Sequence, residues 1–580
     1  MRRALALVPV AAFLFSATAA PAAPLPTRPV YDSKGHLIEA PLAPAAEPVH
    51  LTQKRALAIF LATPKVRDWL KRYPTTNRVT ETTYSKKYRN WTVKIWWGKA
   101  GEIATGRVDD ATGLVTEAWT GPAVAWKMAR GGAGAFGGKK INSYPVWLGF
   151  CALFLLALAD WRRPQSLRNH DLVALLSFSV SLWYFNRGDI LTSAPLVYPP
   201  LLYLIGRGLY IGITGRATRG TTRWSVWILL ALTMFAAGFR VGLNVRSSNV
   251  IDVGYAGVIG AERIVKGQVP YGHMPIEDSL KPCGPKDQDG EIRDRVQTNG
   301  RCESANDRGD TYGPVSYESY IPGYLAFGWT GKWDDLPAAH ATSIAFDLLC
   351  MLGIGLVGLR FGGPKAGAAL ALAWTAYPFT QYASSSNTND AIMPAYLIWG
   401  FWLVTMPFLR GFFAALAGWT KFAALIVVPM WATYPNGVRA PRHVGRFVLG
   451  FAAATAAAFS IFLLEPQPLH SLHEFWKWTV SWQIGRDSPF SIWDWGQYHA
   501  KGIPDLHLLQ RVLEVLLIGA AFLFAIFPRF KSPLQLAALT GVLLMGFELV
   551  LTHWFYLYLP WFFAFVAFAV LAARPVAETV

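Results

Sequence analysis

Charged side chains are scarce in this chain: they make up 16% of 580 residues, against 53% hydrophobic. A soluble enzyme carries about 25% charge, so that class is set aside at once. Acidic residues are the scarcer sign, 36 against 54 basic, which leaves a net charge of +18. This surplus is not a nucleic-acid footprint, because it sits in short clusters between apolar runs. The clusters are Arg162, Arg163 and Arg168; Arg216, Arg219 and Arg223; Arg439, Arg442 and Arg446; and Arg529 with Lys531. Such clusters mark the cytoplasmic loops of a membrane protein. Cysteine is nearly absent, four residues in all. Cys151 and Cys350 lie in apolar runs as inert fillers. Cys283 and Cys302 share a polar outer loop, where a disulfide is favoured over two free thiols. No internal repeat is visible, which counts against a transporter or flippase of a lipid-linked glycan.

What is abundant is apolar sequence in runs long enough to cross a bilayer, about 20 residues each. Typical runs are 224–239, 339–359, 447–464, 534–552 and 557–573. The 25 tryptophans suit interfacial belts and aromatic outer loops. The fold class expected is an all-α polytopic membrane protein, with a small α+β domain before it. Residues 1–23, with Arg2, Arg3 and an apolar stretch, read as a signal peptide or signal anchor. Residues 24–50 are a Pro/Ala-rich linker, and 51–130 form the small domain: a helix over 52–71, then strands over 91–97, 102–108 and 114–119. Residues 131–143 read as a flexible Gly/Lys tether.

Starting outside the cell, spans are expected at 144–160, 170–186, 193–211, 224–244, 339–359, 366–382, 391–409, 447–464, 508–527, 534–552 and 557–573. The stretch 411–434 is expected as a re-entrant hairpin bending near Lys421, since a single crossing would put the Arg439–Arg446 cluster outside. The outer loops are then 245–338 and 465–507, and the C-terminus is cytoplasmic in a plasma-membrane setting.

On this threading the unusual polar residues share the outer face. Asp252 follows a span, where a carboxylate can act as general base or simply cap a helix. Asp310-Thr-Tyr312-Gly-Pro lies in the same loop, and Asn389-Asp390 closes a short turn. Arg486 and Trp493 belong to the second outer loop, and His553-Trp-Phe-Tyr556 ends a late span. Lys421, inside a membrane segment, is a functional residue or one that snorkels or pairs with Asp347 or Glu548. Asp287, Asp289 and Glu291 hint at a calcium loop, but Gly290 comes too early for an EF-hand, so the run reads as a solvated turn. No cofactor is called for, and a divalent metal has no support.

The order of these features from 224 to 573 resembles the GT-C superfamily of membrane glycosyltransferases, nearest its bacterial polyprenol-phosphate-mannose-dependent type. The ending VDDATGLVTEAWTG of the small domain resembles a PepSY-type domain, which implies a protein or glycan partner. The GT-C resemblance implies an inverting transfer of mannose or a pentose from a polyprenyl-phosphate donor to a cell-envelope lipid or glycan acceptor. It implies Asp252 as base, with Arg486, Lys421 and His553 on the donor phosphate. Tyr255, Asp310, Tyr312, Asn389, Asp390, Trp493 and Tyr556 are then expected on the sugar and acceptor side. Asp252 departs from the family pattern in standing alone, without an adjacent acidic residue. The competing reading is a scaffold or sensor that the spans merely anchor.

Overall fold

The structure is a computed structural model. It describes residues 30–39 and 48–571, apart from 219, 276–279, 285–291, 293, 297–299, 301, 305–308, 310, 334, 438 and 439. The expected signal segment 1–23, most of the linker 24–50, Asp310 and the Asp287–Glu291 run lie outside the described residues. A two-stranded ribbon, β1 (Val30–Tyr31) with β2 (Leu37–Glu39), comes first.

The small domain begins with Thr52, whose hydroxyl caps helix α1 (Gln53–Ala62) by accepting from Arg55 N. The single helix expected over 52–71 is two. Pro64 opens α2 (Pro64–Leu70), and Thr63 before it is forced out of helical geometry, with ψ 125°. Four strands follow as an antiparallel meander: β3 (Arg78–Ser85), β4 (Asn90–Trp97), β5 (Gly101–Asp109) and β6 (Val115–Thr120). Strand β3 is an addition to the expected set. It pairs with β4 along its whole length, from Arg78 opposite Trp97 to Ser85 opposite Asn90. The helices cover one face of the sheet, burying Ala56, Phe60, Val66 and Leu70 against Val93, Ile95, Ala104 and Val108.

After a polar loop come the helices of the bundle: α3 (Tyr144–Leu158), α4 (Leu167–Phe185), α5 (Tyr198–Thr214) and α6 (Val226–Ser247). Helix α7 (Asp252–Val265) lies in the long loop, followed by α8 (Pro337–Gly362), α9 (Pro364–Ala376), α10 (Pro378–Ser385) and α11 (Ile392–Trp402). The last group is α12 (Pro407–Thr420), α13 (Val428–Thr433), α14 (Pro441–Phe459), α15 (His507–Ile526), α16 (Pro533–Val550) and α17 (Pro560–Leu571). Among the described residues, six helical stretches are long and apolar enough to cross a membrane: Ile190–Thr214, Val226–Ser247, Pro337–Gly362, Pro441–Leu464, His507–Ile526 and Pro533–Val550. Of the other expected spans, 170–186 is an unbroken helix of 19 residues that carries Arg168, His170 and Asp171 in its first turns, and the rest are short or broken, several at proline. Pro378 splits the 366–382 run between α9 and α10, and the 391–409 run ends as helix at Trp402, before Pro407 starts the next. The protein is thus a mostly helical, multi-pass membrane protein with a small sheet domain.

Helix α17 is apolar on every side, and every residue in it is buried, so it forms the axis of the bundle. Helix α15 is its opposite, exposing Leu508, Val515, Leu516 and Phe522 at the periphery, a surface suited to lipid. The bundle has two distinct ends, separated by α6, whose 22 residues span about 33 Å. At one end the basic loops meet: Arg168 Nη1 donates to Gly220 O, Gln535 Nε2 to Gly212 O, and Lys531 N to Pro435 O. The other end carries the small domain.

Residues 407–434 form a helical hairpin. The backbone turns extended at Lys421 (φ −144°, ψ 128°), and the chain returns through a 3-10 turn, Phe422–Val427, and α13. The two feet meet at the basic end, where Arg410 Nη2 donates to Tyr434 O at 2.9 Å. The tip at Lys421 points to the domain end. Arg240 and Asp347 are among the charged side chains buried inside the bundle. Arg240 pairs with Asp347, which also accepts from Trp374 Nε1, so Asp347 is not a partner of Lys421.

The expected tether is not loose. Arg130 Nε donates to Ala123 O, Gly132 N to Asn186 O, and Asn249 Nδ2 to Ala135 O, while Phe136 is buried. Gly131 explains the close approach: it has φ +82°, and a Cβ there would fall 2.5 Å from Gly188 N. The small domain also docks on the second long loop. Tyr73 OH donates to Tyr498 O at 2.8 Å, and Lys501 N to Arg72 O at 3.0 Å. In the first long loop, Cys283 and Cys302 form a disulfide.

Candidate functional site

A cavity of about 620 Å³ opens at the domain end, above the hairpin tip. Six residues singled out from the sequence line it together: Asp252, Tyr312, Asp390, Lys421, Arg486 and His553. They come from six separate segments, and each is held by local structure.

Asp252 is the first residue of α7, not its cap. Ile251 occupies the cap position, and the Asp252 carboxylate accepts from Val253 N at 3.0 Å. Residues 254–263 of α7 are buried throughout, so this helix is packed rather than interfacial. Burial pushes the Asp252 carboxyl above the usual carboxylate range, while the Val253 amide and the charges of Arg486 and Lys421 pull the other way.

Tyr312 is placed by the glycine after it. A Cβ on Gly313 would collide with Trp419 O, so only glycine lets this loop lie against the end of α12. The Tyr312 carbonyl accepts from Tyr271 OH, and burial raises the Tyr312 phenol well above its ordinary value, keeping it a neutral donor.

Lys421 does not wait for a ligand alone. Its Nζ lies 2.6 Å from Asp390 Oδ1, and the same oxygen accepts from Trp561 Nε1 at 3.0 Å. The ammonium also faces the rings of Trp561 and Tyr558, at 4.9 and 5.2 Å. Asp390, which also lines the cavity, is therefore the counter-ion of Lys421. Glu548, the other partner considered for Lys421, accepts from Trp554 Nε1 instead.

His553 Nδ1 is 2.9 Å from Ser488 Oγ. Ser488 is fixed in turn, its amide donating to Asp494 Oδ2 at 2.7 Å. Burial, reinforced by Arg486 and Lys421, holds the imidazole well below its ordinary pKa, so it is neutral. Arg486 is the contrasting cation. Among the described residues no carboxylate lies within ion-pair distance of it, and its Nε is buried without a hydrogen-bond partner. Its guanidinium lies 5.0 Å from the Trp482 ring and 5.8 Å from the Trp126 ring.

Four expected residues are elsewhere. Tyr255 is buried in the loop core, stacked on Trp333 at 4.3 Å. Asn389 is sealed, donating to Ser316 Oγ. Trp493 is buried, with Nε1 bonded to Leu549 O. Tyr556 bonds Ser181 and Ser193 inside the bundle. Each is an aromatic or amide near a span end that packing claimed first. The wall also holds residues that the sequence reading passed over: Tyr558 and Trp561, Glu514, and Met128 and Phe136 from the segment after the small domain. The signal for the first two was present, because the aromatic run that begins at His553 continues through Trp561. Apolar side chains complete the lining, among them Phe422, Ile426, Leu517, Ile518 and Phe547.

No protein family, no curated protein and no solved structure matches the chain.

Proposed function

We propose that the protein is a membrane glycosyltransferase that moves a sugar from a polyprenyl-phosphate donor to a hydroxyl of a cell-envelope lipid or glycan, with inversion. The observation that carries this reading is the cavity itself: its lining combines a buried carboxylate, a guanidinium that has no carboxylate partner among the described residues and a neutral imidazole with a set of apolar side chains. Such a combination suits a lipid-linked phosphate, head on the polar groups and prenyl chain on the apolar ones.

In the proposed reaction the acceptor O–H gives its proton to Asp252 as its oxygen attacks the anomeric carbon. The bond from that carbon to the phosphate oxygen breaks, and the phosphate leaves with the electron pair. A carboxyl raised by burial is the stronger base, once ionised. Arg486 meets the charge that develops on the departing phosphate. His553 contributes as a donor and not as a charge. Ser488 Oγ already accepts the Phe490 amide, so we assign its proton to His553 Nδ1, which leaves Nε2–H to donate. Lys421, neutralised by Asp390, shapes the floor.

The test is transfer by the purified protein in lipid, using radiolabelled polyprenyl-phosphate sugars, beside Asp252→Asn. Transfer lost in the variant supports the base. Transfer equal in both removes Asp252 from the mechanism. An absence of transfer with any donor, together with movement of lipid-linked glycan across vesicles, would replace the reading with transport.

A further inference from the structure

Arg486 is held by two tryptophans from opposite ends of the chain. Trp482 lies one helical turn before it, whereas Trp126 belongs to the segment that leaves the small domain. A guanidinium over two indole faces is held by cation–π attraction, and among the described residues no carboxylate takes its N–H edge. Trp126 is itself held in place. Its amide donates to Pro122 O and its carbonyl accepts from Ala129 N, and its ring meets Phe490 edge-on at 5.7 Å and His553 at 6.2 Å. Just beyond it, Gly131 is wedged against Gly188, and Met128 and Phe136 enter the cavity wall.

We propose that Trp126 and Trp482 form an aromatic clamp that presents the Arg486 guanidinium to a phosphate-type anion in the cavity. The small domain, whose exit segment carries Trp126, is then a working part of the anion site. This rests on the reading of the cavity as a polyprenyl-phosphate site, and Trp126 acts in it as a positioning residue.

A merely structural role predicts something different. If Trp126 only fills space against Phe490, any apolar side chain of similar reach serves; if it holds a cation, the replacement must present a π face. Trp126→Leu and Trp126→Phe separate the two while keeping the site filled. The measurement is equilibrium binding of radiolabelled farnesyl phosphate to the full-length protein in nanodiscs, with the neutral alcohol farnesol beside it.

Trp126→Leu is expected to weaken farnesyl phosphate by about 3- to 30-fold, the range of a single cation–π contact. Trp126→Phe recovers most of that loss, and farnesol binding is unchanged in both. In the transfer assay the loss falls on the donor KM and spares kcat. Equal weakening of farnesol and farnesyl phosphate, no weakening at all, or failure of Phe to outperform Leu would each overturn the clamp. Competition by inorganic phosphate as strong as by farnesyl phosphate keeps the clamp and makes a free phosphate its ligand. Binding that follows this pattern without sugar transfer leaves the clamp standing and removes the glycosyltransferase reading. Transfer with a donor KM indifferent to Trp126→Leu does the reverse.

Discussion

Lys421 Nζ lies 2.6 Å from Asp390 Oδ1, at the tip of the hairpin and on the floor of the cavity. The two side chains are 11% and 1% exposed, so each charge depends on the other for compensation. Removing one partner of such a pair strands the other and costs about 3–5 kcal/mol, whereas replacing both is far milder. Lys421→Met and Asp390→Asn are each expected to destabilise the protein by that amount, measured by denaturant titration in detergent. The double variant should recover more than half of either loss. Strictly additive losses would show that the pair is not coupled.

Asp252 should set the acid limb of activity. Its carboxyl is raised by burial, and a general base works only when ionised, so kcat/KM falls as pH drops through a value above the ordinary carboxylate figure of about 3.9. His553, kept neutral by burial, adds no inflection near the ordinary histidine value. Asp252→Asn should lower kcat/KM by about 10²- to 10⁴-fold and abolish the limb. A pH–rate profile that stays flat down to pH 4 would contradict this.

The bundle was legible because hydropathy is a property of contiguous sequence. The breaks at Pro378 and Pro407 were less so, since the run around each stays apolar while the helix does not continue. Strand β3 was missed because its sequence, RVTETTYS, is mostly polar and lies at the sheet edge, where alternation is weak. In the site, Asp252 and His553 could be singled out as ionisable residues at span ends, Arg486 as a cation in an outer loop and Lys421 as a charge inside a membrane segment. Their partners could not. The Lys421–Asp390 and Arg486–Trp126 contacts join segments distant in sequence, and only packing decides them. Tyr255, Trp493 and Tyr556 show the converse: local sequence offers an aromatic near a cavity, and the fold takes it into the core.

Asp494 gives a pH dependence of stability. Burial lifts its pKa to about 6, although the Ser488 amide bond opposes the shift. The folded protein therefore binds this proton more tightly than the unfolded chain, whose value is about 3.9. The resulting stabilisation is complete below about pH 4 and is lost as pH rises through 6. Asp494→Asn keeps an acceptor for Ser488 and carries no charge. It should be more stable than wild type by about 1–3 kcal/mol at pH 7.5, with the difference fading at pH 4. Thermal unfolding at the two pH values decides it, and an equal difference at both would show that charge is not the cause.

Asp110 behaves with the opposite sign. It is 1% exposed and accepts from His50 N at 2.8 Å, Leu51 N at 3.0 Å and Trp91 Nε1 at 2.8 Å, so it ties the entry of the small domain to its sheet. Burial alone would raise its pKa, but the amides of His50 and Leu51, with Trp91, bring it down to about 2. Its contribution is therefore present above the unfolded value of about 3.9 and disappears as pH falls toward 2. Hydrogen exchange in β4 and β5 of the full-length protein should accelerate across that window, beyond the intrinsic pH effect. Asp110→Asn turns one acceptor oxygen into a donor facing other donors. It should cost about 1–3 kcal/mol at pH 7 and flatten the acid dependence. If the variant keeps both the wild-type protection and its acid transition, these three hydrogen bonds do not hold the domain together.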